Sequence, residues 1–359
     1  MNERQSNIEL LRLLCMFLII WGHFIYYGIL HGSEIYANQT GFGMMLPRII
    51  RGFSWCAVDA FILISGYFSI RPKAKSFINL YLVCAFYAGI FYIIHLYHIG
   101  SHLNRWVIFN TLMPFGLWEI NTKWWFIPNY LMLYILSPLL NRVTDNLPRE
   151  RFRIVLFLAS IPILYFGWYR NMSWNEYGFN FINFCYLYLI GRYISQCHIT
   201  KGNVTRITLW LIGWLVSGGI IGLSDVLREQ CSISNLWISQ MMWYNSPMCL
   251  FSAICLFMTF RETNIRNNQV VNWYAASAFS IYLVHDNVYF RKLIANFVSS
   301  QYTPPFVRSY GIMLILSIGI VLLVPLIDKL RIMITNPICN YLCKAYYKTK
   351  PYLIRIVEG

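Results

Sequence analysis

Long apolar segments leave this chain few ways to fold in water. A helix needs about 20 mostly apolar residues to cross the hydrocarbon core of a bilayer. Ten segments approach that requirement: 8–27, 53–70, 77–97, 125–141, 153–168, 180–196, 207–223, 239–260, 273–296 and 309–327. Because 58% of the residues are hydrophobic and 12% are charged, a soluble globule could not cover its surface with polar side chains. The sequence therefore predicts an all-α, polytopic membrane bundle of about ten transmembrane helices.

The distribution of basic residues orients these predicted spans. With a cytosolic N-terminus, the cytosolic segments carry roughly twice as many Lys and Arg residues as the outer segments, which include Arg48 and Arg51. Both termini are therefore expected in the cytosol, which agrees with an even number of spans. The stretch 106–118 is apolar but has only 13 residues, so we expect a re-entrant or interfacial piece there.

The charge of the chain also bears on its partners. Residues 1–327 are expected to form the membrane domain, and 328–359 a basic cytoplasmic tail. In this tail Tyr and apolar residues alternate with Lys and Arg, which favours contact with anionic membrane lipids. The net charge is +15, but no RNA-binding signature or basic–aromatic repeat is present, so we exclude nucleic acid.

Ionisable residues inside spans are costly and usually functional. In the first span Arg12 and His23 are 11 residues apart; eleven steps of about 100° bring them within about 20° of one helical stripe. They are separated by roughly 16 Å along the axis, at about 1.5 Å per residue. Glu9 can hold the Arg12 guanidinium in place. Singly, Arg12 could be an interfacial anchor and His23 a core histidine, but together on one face they favour function.

Two further spans place ionisable residues at a depth similar to that of His23. Asp59 lies near the outer end of the second span, and His285 lies in the ninth, next to Asp286. Asp59 could act in chemistry or be a structural partner for a basic residue. His285 could bond a neighbouring helix, or form with Asp286 a helix-breaking polar patch beside a cavity.

Two layers of functional residues result. The cytosolic layer holds Arg12, Arg71, Lys73 and Lys75, which suit phosphate groups, although positive-inside topology explains some of them. The outer layer holds His23, Asp59 and His285, which suit general base catalysis. Three residues at the start of the fourth span are expected either to belong to an aromatic belt or to line a pocket: Trp124, Trp125 and Asn129. Two histidines and one aspartate on different spans do not predict a metal site.

Five segments in this order resemble those of the acyltransferase-3 family of integral membrane acyltransferases. Arg12 and His23 match the Arg-x10-His motif of the family, and 58–67 is similar to its V-D-x-F-F-x-L-S-G segment. The later segments 124–128, 137–140 and 282–285 resemble W-F-L/I-P, S-P-L-L and Y-L-x-H. The chain departs from the family at Ala60, where members usually have Phe.

The resemblance implies a ten-helix core in a bacterial plasma membrane. It also implies acyl-CoA, usually acetyl-CoA, as donor, and a hydroxyl of a cell-surface polysaccharide or its lipid-linked glycan precursor as acceptor. The two layers then suggest that Arg12, Arg71 and Lys73 bind the CoA phosphates. His23 would act as base or as transient acyl carrier, with Asp59 or His285 orienting it.

Two other functions compete with acyl transfer. A glycolipid or polysaccharide transporter or flippase would use the polar layer as a translocation path. Broken spans in two repeated halves would support it; no clear internal repeat is present, although Gly213 and Gly218-Gly219 interrupt one span. A sensor or binding module would bind a ligand without acyl transfer.

Overall fold

The computed structural model describes residues 4–99, 105, 124–197, 202–230 and 236–358. Every regular element in these ranges is helical, which confirms the all-α prediction. The predicted re-entrant piece 106–118 lies outside the described residues.

The helices are defined by the following bounds. In the first half of the chain they are α1 (Ser6–His23), α2 (Glu34–Ala37), α3 (Phe42–Ser54), α4 (Ala57–Phe68), α5 (Ala74–Ile99), α6 (Phe126–Asp145), α7 (Arg149–Ser160) and α8 (Phe181–Gln196). In the second half they are α9 (Val204–Gln230), α10 (Leu236–Gln240), α11 (Pro247–Glu262), α12 (Gln269–Ala275), α13 (Ala278–His285), α14 (Val288–Gln301) and α15 (Phe306–Glu358). Wider π-helical turns extend α1 through Phe24–Leu30 and α7 through Ile161–Tyr169, and a 3₁₀ segment covers Ser173–Gly178.

Six helical stretches among the described residues are long and apolar enough to cross a membrane: Ser6–Leu30, Phe42–Phe68, Ala74–Ile94, Arg149–Tyr169, Val204–Glu229 and Phe306–Thr349. Helices also occupy the other four predicted spans, as α6, α8, α11 and the series α12–α14. The count of about ten spans and the cytosolic position of both termini remain predictions.

Helix α1 lies in the middle of the bundle. It contacts α3, α4, α11, α12, α13 and α15. Ile8, Leu11 and Cys15 are fully buried, and their spacing of three and four residues gives α1 one apolar stripe against these neighbours. Residues on other faces of α1 can therefore project into spaces between helices.

The second predicted span begins earlier than its apolar run indicates. Helices α3 and α4 follow each other over Phe42–Phe68, so Arg48 and Arg51, assigned from the sequence to an outer segment, lie within a helical stretch and are buried. Both contact Asp225 of α9. The ion pairs offset part of the cost of burying the two charges, and a hydropathy pattern does not register such pairs.

Two glycines allow helices α4 and α8 to pack with their backbones in contact. A β-carbon at Gly66 would overlap the carbonyl of Tyr188, and one at Gly191 would overlap the carbonyl of Leu63. Gly66 is on α4 and Gly191 is on α8. The small residues therefore set the separation of these helices, as they do in membrane helix pairs generally.

Replacing Gly66 with valine is expected to lower the free energy of unfolding by about 1–3 kcal/mol or more, because the side chain would force α4 and α8 apart. Thermal unfolding of the purified protein in detergent measures the change. Gly219→Ala is the control, since no atom lies within 4 Å of its added β-carbon. Equal melting temperatures for the two variants would contradict this account of the packing.

The predicted boundary between the membrane domain and the tail falls inside a helix. Helix α15 passes through residues 327 and 328 without a break and continues to Glu358. Asp328 and Arg331 are buried and form an ion pair at 2.8 Å, and Asp328 also accepts hydrogen bonds from Tyr87 and Ser280. The start of the predicted tail therefore packs against α5 and α13.

The ninth predicted span is not one helix. It is divided into α12, α13 and α14, with Asp286 and Asn287 between the last two. Asn287 has an extended backbone, and its side chain accepts a hydrogen bond from the Tyr289 backbone N–H. Asparagine is a favoured helix N-cap residue, so the break follows from local chemistry and agrees with the polar patch expected at His285 and Asp286.

Candidate active site between Arg12 and His23

Arg12 lies near the N-terminal end of α1. Its guanidinium is 3.3 Å from Glu9, as the spacing of three residues predicts, and 5.6 Å from the Phe68 ring centroid. The side chain keeps 28% of its accessible surface, and Nε has no hydrogen-bond partner among the described residues. Arg12 therefore retains donors for a ligand.

Arg12 lines a cavity of about 330 Å³, here called the Arg12 cavity. Its other cationic lining residue is Arg4, whose guanidinium donates a hydrogen bond to the Asn272 carbonyl at 2.9 Å. The remaining walls are mainly polar and aromatic: Phe61, Ser65, Ser76, Asn79, Phe126, Tyr130, Tyr134 and Phe279, with three alanines and two larger aliphatic residues between them. Sequence reasoning missed Arg4, because a residue before the first span has no periodic signal.

A narrow passage, here called the neck, adjoins the Arg12 cavity. It shares Phe61, Phe126 and Phe279 with that cavity. Its volume is about 30 Å³, which is room for about two water molecules. His23 and Trp125 lie on the walls of the same passage.

A third cavity, the His23 cavity, continues from the neck. It has a volume of about 240 Å³ and shares five lining residues with the neck: Ile19, His23, Val58, Trp125 and Tyr244. The side chain of His23 keeps 27% of its accessible surface, so it reaches open space. The three cavities therefore follow one another from Arg12 to His23, along the stripe that the spacing of these residues predicts.

His23 faces two ionisable residues at the break between α13 and α14. Its ring centroid is 5.2 Å from that of His285, and its Nδ1 is 3.6 Å from Oδ1 of Asp286. Asp286 is buried and pairs with Arg291 at 2.8 Å. His285 Nδ1 is 2.8 Å from the Ile281 carbonyl, to which it donates, so its Nε2 is left without a proton.

Asp286 and Arg291 are the residues that sequence reasoning left out of the site. The sequence did mark Asp286 as part of a polar patch, but it assigned the carboxylate role to Asp59 at similar depth. Only the break after α13 brings Asp286 beside His23. Arg291 stood among outer-segment residues, and its spacing of five from Asp286 is not a helical pair.

Asp59 has a different environment from the one expected. It is fully buried on α4 and accepts a hydrogen bond from the Cys249 thiol of α11 at 3.3 Å. It lines none of the three cavities, although its neighbour Val58 does. One residue along a helix turns the side chain by about 100°, so Val58 faces the site while Asp59 faces α11.

Of the three residues predicted to line a pocket at the start of the fourth span, one does so and two do not. Trp125 lines the neck and the His23 cavity. Trp124 is buried and lines none of the three cavities. Asn129 also lines none of them; its amide donates to the carbonyls of Trp125 and Phe179. Asn129 therefore fixes the loop that carries Phe179 against α6.

Arg71 and Lys73 follow α4 and are exposed. Neither side chain lines the three cavities. The backbone of Lys73 exchanges hydrogen bonds with the hydroxyl of Tyr134, a wall residue of the Arg12 cavity. The backbone of Lys73 thus lies beside a wall of that cavity, and neither cation lines it.

A cluster of charged residues, of which Arg48, Arg51 and Asp225 are buried, borders the His23 cavity. Asp225 contacts Arg48 at 3.2 Å, Arg51 at 3.6 Å and Arg228 at 2.9 Å. Arg51 lines the cavity. Partial burial and the positive charges of Arg51 and Arg48 lower the pKa of His31, which follows the first span. A positive potential therefore surrounds this end of the site.

The arrangement suits a reaction between two ligands that enter from opposite ends. One end offers guanidinium groups, and the other offers an imidazole beside a carboxylate. Within the described residues, no three His, Cys, Asp or Glu side chains group so as to hold a metal ion.

Comparison with known proteins gives one result on the family. The family model described as an acyltransferase domain matches residues 5–326, which include every cavity residue named above except Arg4. No curated protein and no solved structure matches the chain.

Proposed function

The chain belongs to the acyltransferase-3 family of membrane acyltransferases, and from that premise we propose that it is an O-acetyltransferase of the bacterial plasma membrane. It transfers an acetyl group from cytosolic acetyl-CoA to a hydroxyl of a cell-surface polysaccharide or its lipid-linked precursor. The observation that carries this proposal is the succession of three cavities from Arg12 to His23. It offers separate sites for a donor and an acceptor.

The donor binds at the Arg12 cavity in this proposal. Arg12 and Arg4 contact the phosphates of CoA, because guanidinium groups form short charge-assisted hydrogen bonds with phosphate oxygens. The exposed Arg71 and Lys73 add positive potential near the entrance and raise the rate of capture. The thioester end of the pantetheine arm then points toward the neck.

His23 acts as the general base. In this proposal the Asp286 carboxylate, 3.6 Å from His23 Nδ1, keeps the ring proton on Nδ1 and comes within hydrogen-bond distance when the substrates bind, which leaves Nε2 free to take the proton of the acceptor hydroxyl. The hydroxyl oxygen forms a bond with the carbonyl carbon of the thioester, and the carbon–sulfur bond breaks. The proton passes from His23 to the departing thiolate, so the products are the acetyl ester and CoA.

Two further residues, Arg291 and His285, hold His23 and Asp286 in position. Arg291 holds Asp286 through their 2.8 Å pair, and the carbonyl of Ile281 fixes the ring of His285 against that of His23. Because these groups are already ordered, little reorganisation accompanies charge development on His23. Asp59 contributes from α4 by fixing α11 through Cys249.

The size of the neck distinguishes acyl transfer from glycan transport as the proposed function. A passage of about 30 Å³ admits about two waters, so a sugar chain does not fit through it. In this proposal the thinner thioester arm enters when the rings of Phe61, Phe126 and Phe279, which line the neck, rotate. This favours acyl transfer over a flippase that uses the same path.

The direct test supplies purified full-length protein with radiolabelled acetyl-CoA and lipid-linked glycan. Acyl transfer predicts label in the glycan and release of one CoA for each acetyl group transferred. CoA release by hydrolysis, without an acceptor, tests the donor half separately. Movement of glycan across a vesicle membrane with no acetyl incorporation would contradict the proposal and support a transporter.

The neck also predicts a preference for short acyl groups. Phe279→Ala is expected to increase the use of butyryl-CoA relative to acetyl-CoA by about tenfold, since each added methylene in a tight apolar site is worth roughly 1–3 kcal/mol. The ratio of kcat/KM values for the two donors measures this effect. Phe279→Leu is the matched variant, because it keeps most of the volume; an unchanged ratio in Phe279→Ala would remove the neck from donor selection.

A further inference from the structure

The His23 cavity has walls of flat aromatic rings. Trp55 and Tyr244 stack with centroids 5.3 Å apart, and Trp125 lies 4.6 Å from Phe179. All four line the cavity. The electron-rich faces of such rings pack favourably against the C–H groups of a pyranose ring, so the walls suit a sugar.

Arg51 brings a permanent charge into this aromatic cavity. Arg51 is buried, with 6% of its surface exposed. Its guanidinium carbon lies 4.4 Å from the ring centroid of Tyr26 and 4.5 Å from that of Trp55. Its Nε is buried without a hydrogen-bond partner among the described residues. Its carboxylate contact, Asp225, is 3.6 Å away, which is longer than a hydrogen bond. A buried donor without a partner costs free energy that a ligand can recover.

The surrounding charges do not neutralise Arg51. Asp225 is shared with Arg48 and Arg228, and Glu229 pairs with Arg48. Three arginines thus contact two carboxylates, and no carboxylate of the described residues lines the cavity. Asp286, on the far side of His23, is already paired with Arg291. An anion in the cavity would balance the remaining positive charge.

We propose that the His23 cavity binds a sugar that carries an anionic group, a carboxylate or a phosphate, and that Arg51 holds this group. The aromatic walls pack on the ring, and a hydroxyl of the same sugar faces His23. The role of this sugar as acyl acceptor rests on the proposed function; its binding does not.

Binding by the wild-type protein tests the proposal without any turnover. Full-length protein in nanodiscs is titrated by ligand-observed NMR with methyl glucoside, methyl glucuronoside and glucose 1-phosphate. We expect at least one anionic sugar to bind about tenfold or more tightly than the neutral glycoside, because a charge-assisted hydrogen bond to Arg51 strengthens binding by that amount. Whichever of methyl glucuronoside and glucose 1-phosphate binds more tightly shows whether the site recognises a carboxylate or a phosphate. Equal binding of all three would overturn the proposal.

Two arginine variants locate the effect. Arg51→Gln is expected to bring the affinity ratio of anionic to neutral sugar close to one. Arg48→Gln is the comparison variant: it removes one charge of the same cluster but no residue that lines the cavity, so it should lower the ratio less than Arg51→Gln does. A folded Arg51→Gln protein that keeps the ratio would overturn the role of Arg51. If this variant does not fold, the wild-type comparison still decides the proposal.

A separate measurement of CoA release distinguishes the two proposals. Selective sugar binding with no acetyl transfer would refute the proposed function and leave the anionic-sugar site standing. Acetyl transfer to neutral and anionic acceptors at equal kcat/KM, with equal binding, would refute the present inference and leave the proposed function standing.

Discussion

Replacement of His23 with alanine is expected to reduce the rate of acyl transfer by about 10²- to 10⁴-fold, the usual contribution of a positioned general base. His23 is the imidazole that lines both the neck and the His23 cavity, and its Nδ1 faces Asp286 at 3.6 Å. Among the described residues, no other His, Asp or Glu lines the neck or the His23 cavity. Transfer of radiolabelled acetyl groups to lipid-linked glycan at saturating acetyl-CoA measures the loss.

His31→Ala is the matched control for this variant. His31 follows the same helical element but lies beyond its end and lines none of the three cavities. It should transfer acetyl groups at the wild-type rate. A fully folded His23→Ala protein with wild-type transfer would exclude His23 from the chemistry. Retention of CoA release by hydrolysis, with loss of transfer, would limit its role to activating the acceptor.

Arg12→Ala is expected to raise the KM for acetyl-CoA by about tenfold or more, because one charge-assisted contact with phosphate contributes roughly 1.5–3 kcal/mol. The effect should fall on the donor and leave the KM for the acceptor unchanged, since Arg12 lines only the end opposite His23. Arg12→Lys keeps the charge and loses the two-pronged geometry, so it should give an intermediate KM. Initial rates at varied acetyl-CoA and fixed acceptor separate these cases.

The control removes a positive charge from the same end of the bundle. Arg266 is exposed and precedes Asn267, which accepts a hydrogen bond from Ser6 of α1 at 3.5 Å; it does not line the Arg12 cavity. Arg266→Ala should leave the KM for acetyl-CoA unchanged. An equal rise in both variants would mean that the donor responds to net charge and not to a contact with Arg12.

The helices were predicted from runs of apolar residues, and the shared face of Arg12 and His23 from their spacing along one helix. Both follow from the regular rise and rotation of a helix, which any sequence of helix-forming residues obeys. The matching family motifs added the activity, and the family model agrees with them over residues 5–326. The start of the second span was misjudged because Arg48 and Arg51 are buried by partners on a distant helix.

The sequence by itself determined that the chain is a helical membrane protein and that Arg12 and His23 share one face of its first helix. Tertiary structure decided which residues meet them. By depth, the sequence offered Asp59 or His285 as the partner of His23 and placed Asp286 only in a polar patch. The rotation of α4 turns Asp59 toward Cys249, and the helix break at Asn287 turns Asp286 toward His23. Depth in a membrane follows from counting residues along one helix, whereas the direction that a side chain faces depends on how several helices pack together.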